Sequence, residues 1–382
     1  MRHNRKIIYI AGFLLSMPIA LTSYINSSIL EIYVNKYYLG IIYVIASIIT
    51  IIGMLKMSKI LTYLGNRLTT LLFSLLFLLS LILLALGGKD FIVIPAFILY
   101  FISSNFIFAS LDIFIEDFSK NSSIGAVRGA YLTIISFAWV ISQMISGSII
   151  NKSSFQGIYL LSALFAALVC VVFTLFLHDF KDPKYTKTPV LKTITFFLQK
   201  KNILKIYLIN LILKFFYAWM IIYTPIYMHQ YIGFSWSSIG IIFSIMLLPF
   251  IILDFPLGKL SDKIGEKKML IIGFLIISIS TLMIPFFTAK ELFLWMFILF
   301  TTRIGAAIIE IMSESYFFKS IKKEDADVLS FFRNTNPLSY IIAPLLAIPI
   351  LLLVPSFKYL FFVLGAIMLS GFLLSIRLRD VK

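Results

Sequence analysis

The sequence predicts an all-α integral membrane protein of twelve transmembrane helices, arranged as two pseudo-symmetric six-helix bundles. Three observations carry that expectation. Of 382 residues, 60% are hydrophobic and only 13% are charged, against about 25% charged in a typical soluble domain, and mean hydropathy is +1.01. Apolar runs of about 20 residues, long enough to cross about 30 Å of hydrocarbon, recur along the whole chain. The second half repeats landmarks of the first at an offset near 200 residues, as an internal duplication would.

The elements follow in chain order. A first apolar run at 7–30 succeeds the basic opening MRHNRK. It exceeds the roughly 7–15-residue apolar region of a signal peptide and no small-residue cleavage pattern closes it, so it is predicted to remain as a span. Runs at 38–56 and 68–87 stand on either side of SKILTYLGNR, and a run at 91–114 follows the short break GGKD. Runs at 129–150 and 156–177 are divided only by NKSSF. The longest break, from His178 to Lys205, holds seven lysines and two prolines; it separates an N-terminal bundle, 1–178, from a C-terminal bundle, 204–382, with 179–203 as a basic linker. Within it, 190–199 is amphipathic, and either rests on the anionic cytoplasmic face of the membrane or serves as a plain tether. The second bundle comprises runs at 204–228, 236–257, 269–288, 292–317, 334–354 and 358–376, with short breaks at TAKE and PSFK.

Charge sets the orientation. The N-terminus, the breaks after even-numbered runs and the C-terminus hold 26 of the 33 Lys and Arg, while the opposite breaks hold only Lys36, Lys89, Lys152, Lys290 and Lys358. Both termini are therefore predicted to be cytoplasmic, in a plasma membrane, and the net charge of +16 reads as topology rather than as a nucleic-acid surface. One cysteine, Cys170, rules out an internal disulfide, and His3, His178 and His229 do not cluster, so no metal or other cofactor is expected. No GxxxxGK[ST] phosphate loop occurs, and no cluster of His, Asp or Cys has catalytic spacing, so an enzyme is not expected.

Three echoes tie the halves together. SKILTYLGNR aligns with GKLSDKIGEK, setting Gly65 against Gly265 and Arg67 against Lys267. LDIFIED, with Asp112 and Glu116, matches IEIMSES, with Glu310 and Glu314, each an acidic pair at i,i+4. Arg128 and Arg333 stand at the opening of the fifth run of each half. At these residues the chain resembles the major facilitator superfamily, whose loop signature G-x-L-[AS]-D-[RK]-x-G-x-[RK]-[RK] is matched by Gly258, Asp262, Gly265, Lys267 and Lys268. The first-half copy departs from it, with Ser58 in place of the first glycine and Thr62 in place of the aspartate.

The resemblance extends to the number of runs, the six-plus-six layout and the basic linker. It implies two bundles of inverted three-helix repeats around a central cavity, and a monomeric secondary transporter that moves a small-molecule solute by rocking of the halves. A sensor that binds without translocating, or a polytopic membrane enzyme, is the alternative. The glycine-proline-rich signature of the family's drug:proton antiporters has no match in YLTIISFAWVISQMISGSII.

Polar residues inside the runs are the functional candidates, because a charge at mid-bilayer costs a few kcal/mol and faces a cavity or a partner. Lys214 and Arg303 are the two cations left after the loops are counted, and the resemblance places their runs, seven and ten, beside the cavity. Two deep cations favour an anionic solute; internal neutralisation is the competing reading. Asn210 and Tyr217 flank Lys214 by about one turn. Glu310 and Glu314 each lie within about 20° of Arg303 on a helical wheel, but Arg303 and Glu310 are two turns apart and need partners across the bundle. Asp254 is a candidate partner for Lys214 or Arg333, and Asp254 and Glu310 are the carboxylates expected to carry a coupled proton. Among uncharged groups, Asn26 and Tyr24, Asn105, Trp139 and Gln143, and Trp219 are candidates to orient a ligand, with interhelical bonding as the plainer role for the amides. Asp262, Lys267 and Lys268 are expected to form a cytoplasmic latch, the lysines reaching Glu314, while Asp112 and Glu116 are expected to pair with Arg128 or Arg67. Pro18, Pro225, Pro249, Pro337 and Pro344 are expected to break runs one, seven, eight and eleven.

Overall fold

A computed structural model of the chain describes residues 2–35, 38–118, 124–176, 190–320 and 331–379. Among them the secondary structure is helical, without a strand. The helices are α1 (Arg2–Ser23), α2 (Asn26–Tyr33), α3 (Leu39–Met54), α4 (Met57–Leu86), α5 (Asp90–Phe118), α6 (Ile124–Phe176), α7 (Val190–Gln199), α8 (Lys201–Ile226), α9 (Trp236–Ile264), α10 (Glu266–Met283), α11 (Leu292–Ser320), α12 (Thr335–Leu353) and α13 (Tyr359–Ile376). A π-helical turn, Tyr227–Tyr231, extends α8 just after Pro225.

Nine of the described helices are long and apolar enough to cross a membrane, ten if α1 and α2, bent by 46°, form one span. The remainder of the expected twelve has a physical explanation. α6 is 53 residues long and is broken at Ser154 (φ 60°, ψ −171°), so at 1.5 Å per residue it is long enough for two crossings of about 30 Å. α3, at 16 residues, covers only about 24 Å. Pro337 lies in the first turn of α12, where a missing N–H leaves no helical bond unmade, and so causes no break.

The chain divides into two compact units, Met1–Lys187 with Ser235–Ser244, and Thr188–Phe234 with Ile245–Lys382. In the first, α1 packs on α6, and α4 on α5 and α6. The start of α9 groups with this unit: a Cβ placed on Gly240 would come within 2.6 Å of the Gln143 carbonyl, so the helices touch through backbone. In the second unit α10 packs on α11 and α13, and α8 on α11, α12 and α13.

The duplicated stretch has one backbone solution in both halves. Gly65 breaks α4 at φ 74°, ψ 163°, and Gly265 separates α9 from α10 at φ 88°, ψ 147°. This region is essentially closed to residues with a Cβ. The residue after each glycine is buried and reaches the neighbouring helix: Asn66 Nδ2 donates to the Ser110 carbonyl on α5, and Glu266 accepts from Ser315 and Lys319 on α11.

Candidate functional site

The two units carry different polar chemistry. In the first unit the buried polar network among the described residues is made of hydroxyls and amides and centred on the bend between α1 and α2. Thr22 Oγ1 bonds the Tyr100 hydroxyl at 2.7 Å, Tyr159 donates to Asn26 Oδ1 at 2.7 Å, and Ser27 Oγ bonds the Tyr43 hydroxyl at 3.0 Å. All six residues are buried. Each hydroxyl or amide in this network bonds within protein, as groups inside hydrocarbon must, and the network ties the bent span to α3, α5 and α6. Three other candidates from the sequence have comparable local roles. Gln143 donates to the Ala20 carbonyl, Asn105 to the Phe101 carbonyl of its own helix, and Trp139 packs edge-on against Tyr24 at 6.4 Å.

Among the described residues, the second unit holds an ion pair and a buried arginine within its spans. Lys214 lies near the middle of the span Lys201–Tyr231 and Arg303 near the middle of Leu292–Phe317. Lys214 Nζ is 2.6 Å from Glu310 Oε1, and the Tyr217 hydroxyl donates to Glu310 Oε2 at 3.0 Å. Glu310 thus gathers two partners from α8, one turn apart on the same helix face, one cationic and one neutral. The pair is not sealed: the side chains of Lys214 and Glu310 are 17% and 30% exposed. A charged pair exposed at membrane depth faces water rather than lipid.

Arg303 is 1% exposed. Its guanidinium lies 5.0 Å from the centre of the Phe216 ring and 5.7 Å from that of Tyr217, and Lys214 Nζ is 5.2 Å from the same Tyr217 ring. Tyr217 therefore presents its ring to both cations and its hydroxyl to the acid. Two residues on, on the opposite side of α11, a glycine serves the packing against α10. A Cβ on Gly305 would approach the Gly273 carbonyl and the Ile277 nitrogen to 2.7 Å each, so α11 and α10 are in backbone contact at this level. Asn210 bridges outward from α8, donating to Ser313 Oγ at 3.4 Å and accepting from Thr335 Oγ1 at 2.8 Å. Trp219 is buried among Phe215 and Tyr223, in the core of the unit.

Toward the lysine-rich end of α11 two carboxylates are engaged. Glu314, expected to receive Lys267 or Lys268, accepts from Arg333 Nη1 at 2.7 Å. Glu266, which sequence reasoning passed over, is 2% exposed and accepts from Lys319 at 2.7 Å and Ser315 at 3.1 Å. It opens α10, where a carboxylate also meets the positive end of the helix dipole, and its place directly after Gly265 was the available signal. Lys214 and Arg333, the cations for which Asp254 was considered, are thus paired with Glu310 and Glu314. The side chains of Asp112, Glu116, Arg128, Asp254 and Asp262, and the surroundings of Gly258, lie outside the described residues. A groove of about 400 Å³ between α10 and α11 is lined by apolar residues with Ser280 and Thr301, and contains none of these charged groups. No cluster of His, Cys, Asp or Glu suited to a metal occurs among the described residues.

A bundle of apolar, membrane-length helices with an ion pair and an arginine near the middle of two of them defines a polytopic membrane protein. The Major Facilitator Superfamily profile matches residues 8–241 and 208–382, and the chain belongs to that superfamily of secondary transporters. Among solved structures it is similar to a POT family transporter in complex with a thioalcohol-conjugated peptide, with a TM-score of 0.76 and 15% identity over 98% of this chain and 96% of the other. At that identity the likeness is one of fold. No curated protein matches the sequence.

Proposed function

We propose that this transporter moves a small organic anion across the plasma membrane by alternating access, coupled to protons, with Lys214 and Arg303 as the anion-binding cations. The supporting observation is the arrangement of charge at membrane depth. Lys214 and Arg303 both lie near the Tyr217 ring, at 5.2 and 5.7 Å, with Glu310 beside Lys214, a grouping of two cations that suits an anionic ligand. Tyr217 and Asn210 orient the ligand and its cations.

Glu310 supplies the coupling. While ionised it holds Lys214 at 2.6 Å. Protonated, it no longer offsets the ammonium, and Lys214 is released toward a bound anion. Proton and anion thereby favour each other's binding, which is the free-energy coupling a symporter requires. Asp254, one helix away in sequence, is the second carboxylate proposed for the proton path. The latch is proposed on the cytoplasmic side, with Asp262, Lys267 and Lys268 beside the Glu314–Arg333 and Glu266–Lys319 pairs, and both termini on that same side. The protein acts as a monomer.

Uptake into proteoliposomes tests this reading. An imposed proton gradient should drive accumulation of an anionic solute, with carboxylates and short peptides as the first set, the latter prompted by the ligand of the solved neighbour. Lys214→Ala or Arg303→Ala should reduce uptake at least roughly tenfold, a loss of about 1.4 kcal/mol of binding. Retained binding without flux would identify a sensor instead, and uptake indifferent to the gradient would remove proton coupling.

A further inference from the structure

Beside the half-exposed pair of Lys214 and Glu310 stand two half-exposed rings, Tyr217 of α8 and Phe250 of α9. Their centres are 6.2 Å apart and their planes meet at 64°, edge to face. Helix geometry turns these groups away from lipid. On α9 the exposed residues Ile241 and Ile252 are about three turns apart and share the face that meets lipid, whereas Phe250, just before Ile252, lies about 160° round the helix from it. On α11 the lipid face carries the exposed rings of Phe293 and Phe297, and Glu310 lies about 140° from Phe297. Tyr217 reaches Glu310 with its hydroxyl and Phe250 with its ring, so it belongs to the same side. Charge and ring thus share one patch of the second unit that faces away from the hydrocarbon.

The patch is preformed. The bond from the Tyr217 hydroxyl to Glu310 Oε2 fixes the ring that Phe250 abuts. Rings prefer edge-to-face or offset contacts at centroid separations of about 4.5–7 Å, and a corner of two such rings offers a third ring both kinds of contact. Lys214 Nζ stands 5.2 Å from the Tyr217 ring, so a ring seated in that corner brings a carboxylate on a short arm within reach of the ammonium. We propose that the transported anion is an aromatic carboxylate, with its ring against Tyr217 and Phe250 and its carboxylate toward Lys214, and that Phe250 determines this specificity. The inference rests on the anion-binding reading of Lys214 and Arg303 and narrows it to one chemical class.

Isothermal titration of the purified full-length protein with 3-phenylpropionate and with 3-cyclohexylpropionate tests the proposal. The two acids share a carboxylate and a shape, and the cyclohexyl acid is the more hydrophobic, so burial alone favours it. The wild type should bind the phenyl acid more tightly by at least roughly fivefold, each ring–ring contact contributing a factor of about 2–10. Phe250→Leu should lower that ratio by about one such factor, and Phe250→Tyr, which keeps the ring, should retain it. If Phe250→Leu fails to fold, the wild-type ratio decides. Equal affinities in the wild type, tighter binding of the cyclohexyl acid, or a ratio that Phe250→Leu leaves unchanged would overturn the aromatic assignment and leave the anion site standing. Binding of aliphatic carboxylates alone, lost in Lys214→Ala, would do the same. Binding of no carboxylate at all would overturn both.

Discussion

At the scale of single residues, Glu310 is the junction of the second unit, accepting from Lys214 and from Tyr217. Lys214→Ala leaves that carboxylate without its cation. Because the pair is partly exposed, the expected loss of stability is about 1–3 kcal/mol rather than the larger cost of breaking a sealed pair. A double-mutant cycle with Glu310→Gln, read by thermal unfolding, should recover part of that loss; strictly additive effects would show that the two groups do not interact. Glu310→Gln should also flatten the response of transport to an imposed proton gradient while leaving the protein folded. Arg303 makes a different prediction. Its planar guanidinium lies near the rings of Phe216 and Tyr217, and an ammonium reproduces the charge but not the stacking. Arg303→Lys should therefore weaken ligand binding by about 0.5–2 kcal/mol, and full retention of affinity would assign Arg303 a purely electrostatic role.

At the scale of elements, the glycine breaks show how the duplicated stretch works. Gly65 and Gly265 share one backbone region, so Gly65→Ala and Gly265→Ala should each destabilise by about 1–3 kcal/mol. Ser154 occupies that same region without being glycine, and Ser154→Gly should raise the melting temperature, relieving about 1 kcal/mol or more. If all three substitutions are neutral, the breaks are not held in this conformation. The glycine pair could be found in the sequence because two copies aligned. Ser154 could not, because nothing in NKSSF distinguishes which residue turns the chain. The bend between α1 and α2 was hidden for another reason. The run at 7–30 passes through the polar stretch TSYINSS without a charge, and the partners that hold the bend, Tyr43, Tyr100 and Tyr159, are brought there by tertiary packing from distant parts of the chain. Pairing on α11 was legible only as a face. The wheel put Glu310 and Glu314 on one side, but which cation each receives depends on the packing of α8 and on the chain before α12.

At the scale of the whole molecule, two units of one superfamily fold divide the polar work unequally. The first holds a neutral, buried hydroxyl and amide network, and the second holds Lys214, Glu310 and Arg303. Composition and run length sufficed to read a helical membrane protein. The asymmetry was legible in the sequence, which places both deep cations in the second half, whereas the contacts of Lys214 with Glu310 and of Tyr217 with all three needed coordinates. That asymmetry carries the central claim, that Lys214 and Arg303 of the second unit bind an anionic solute. The most direct measurement is a thermal-shift panel of small anionic and cationic metabolites on the purified protein, repeated with Lys214→Ala and Arg303→Ala. Stabilisation by one or more anions, lost in both variants while each remains folded without ligand, is the predicted result. Stabilisation by cations that neither substitution alters would contradict the claim.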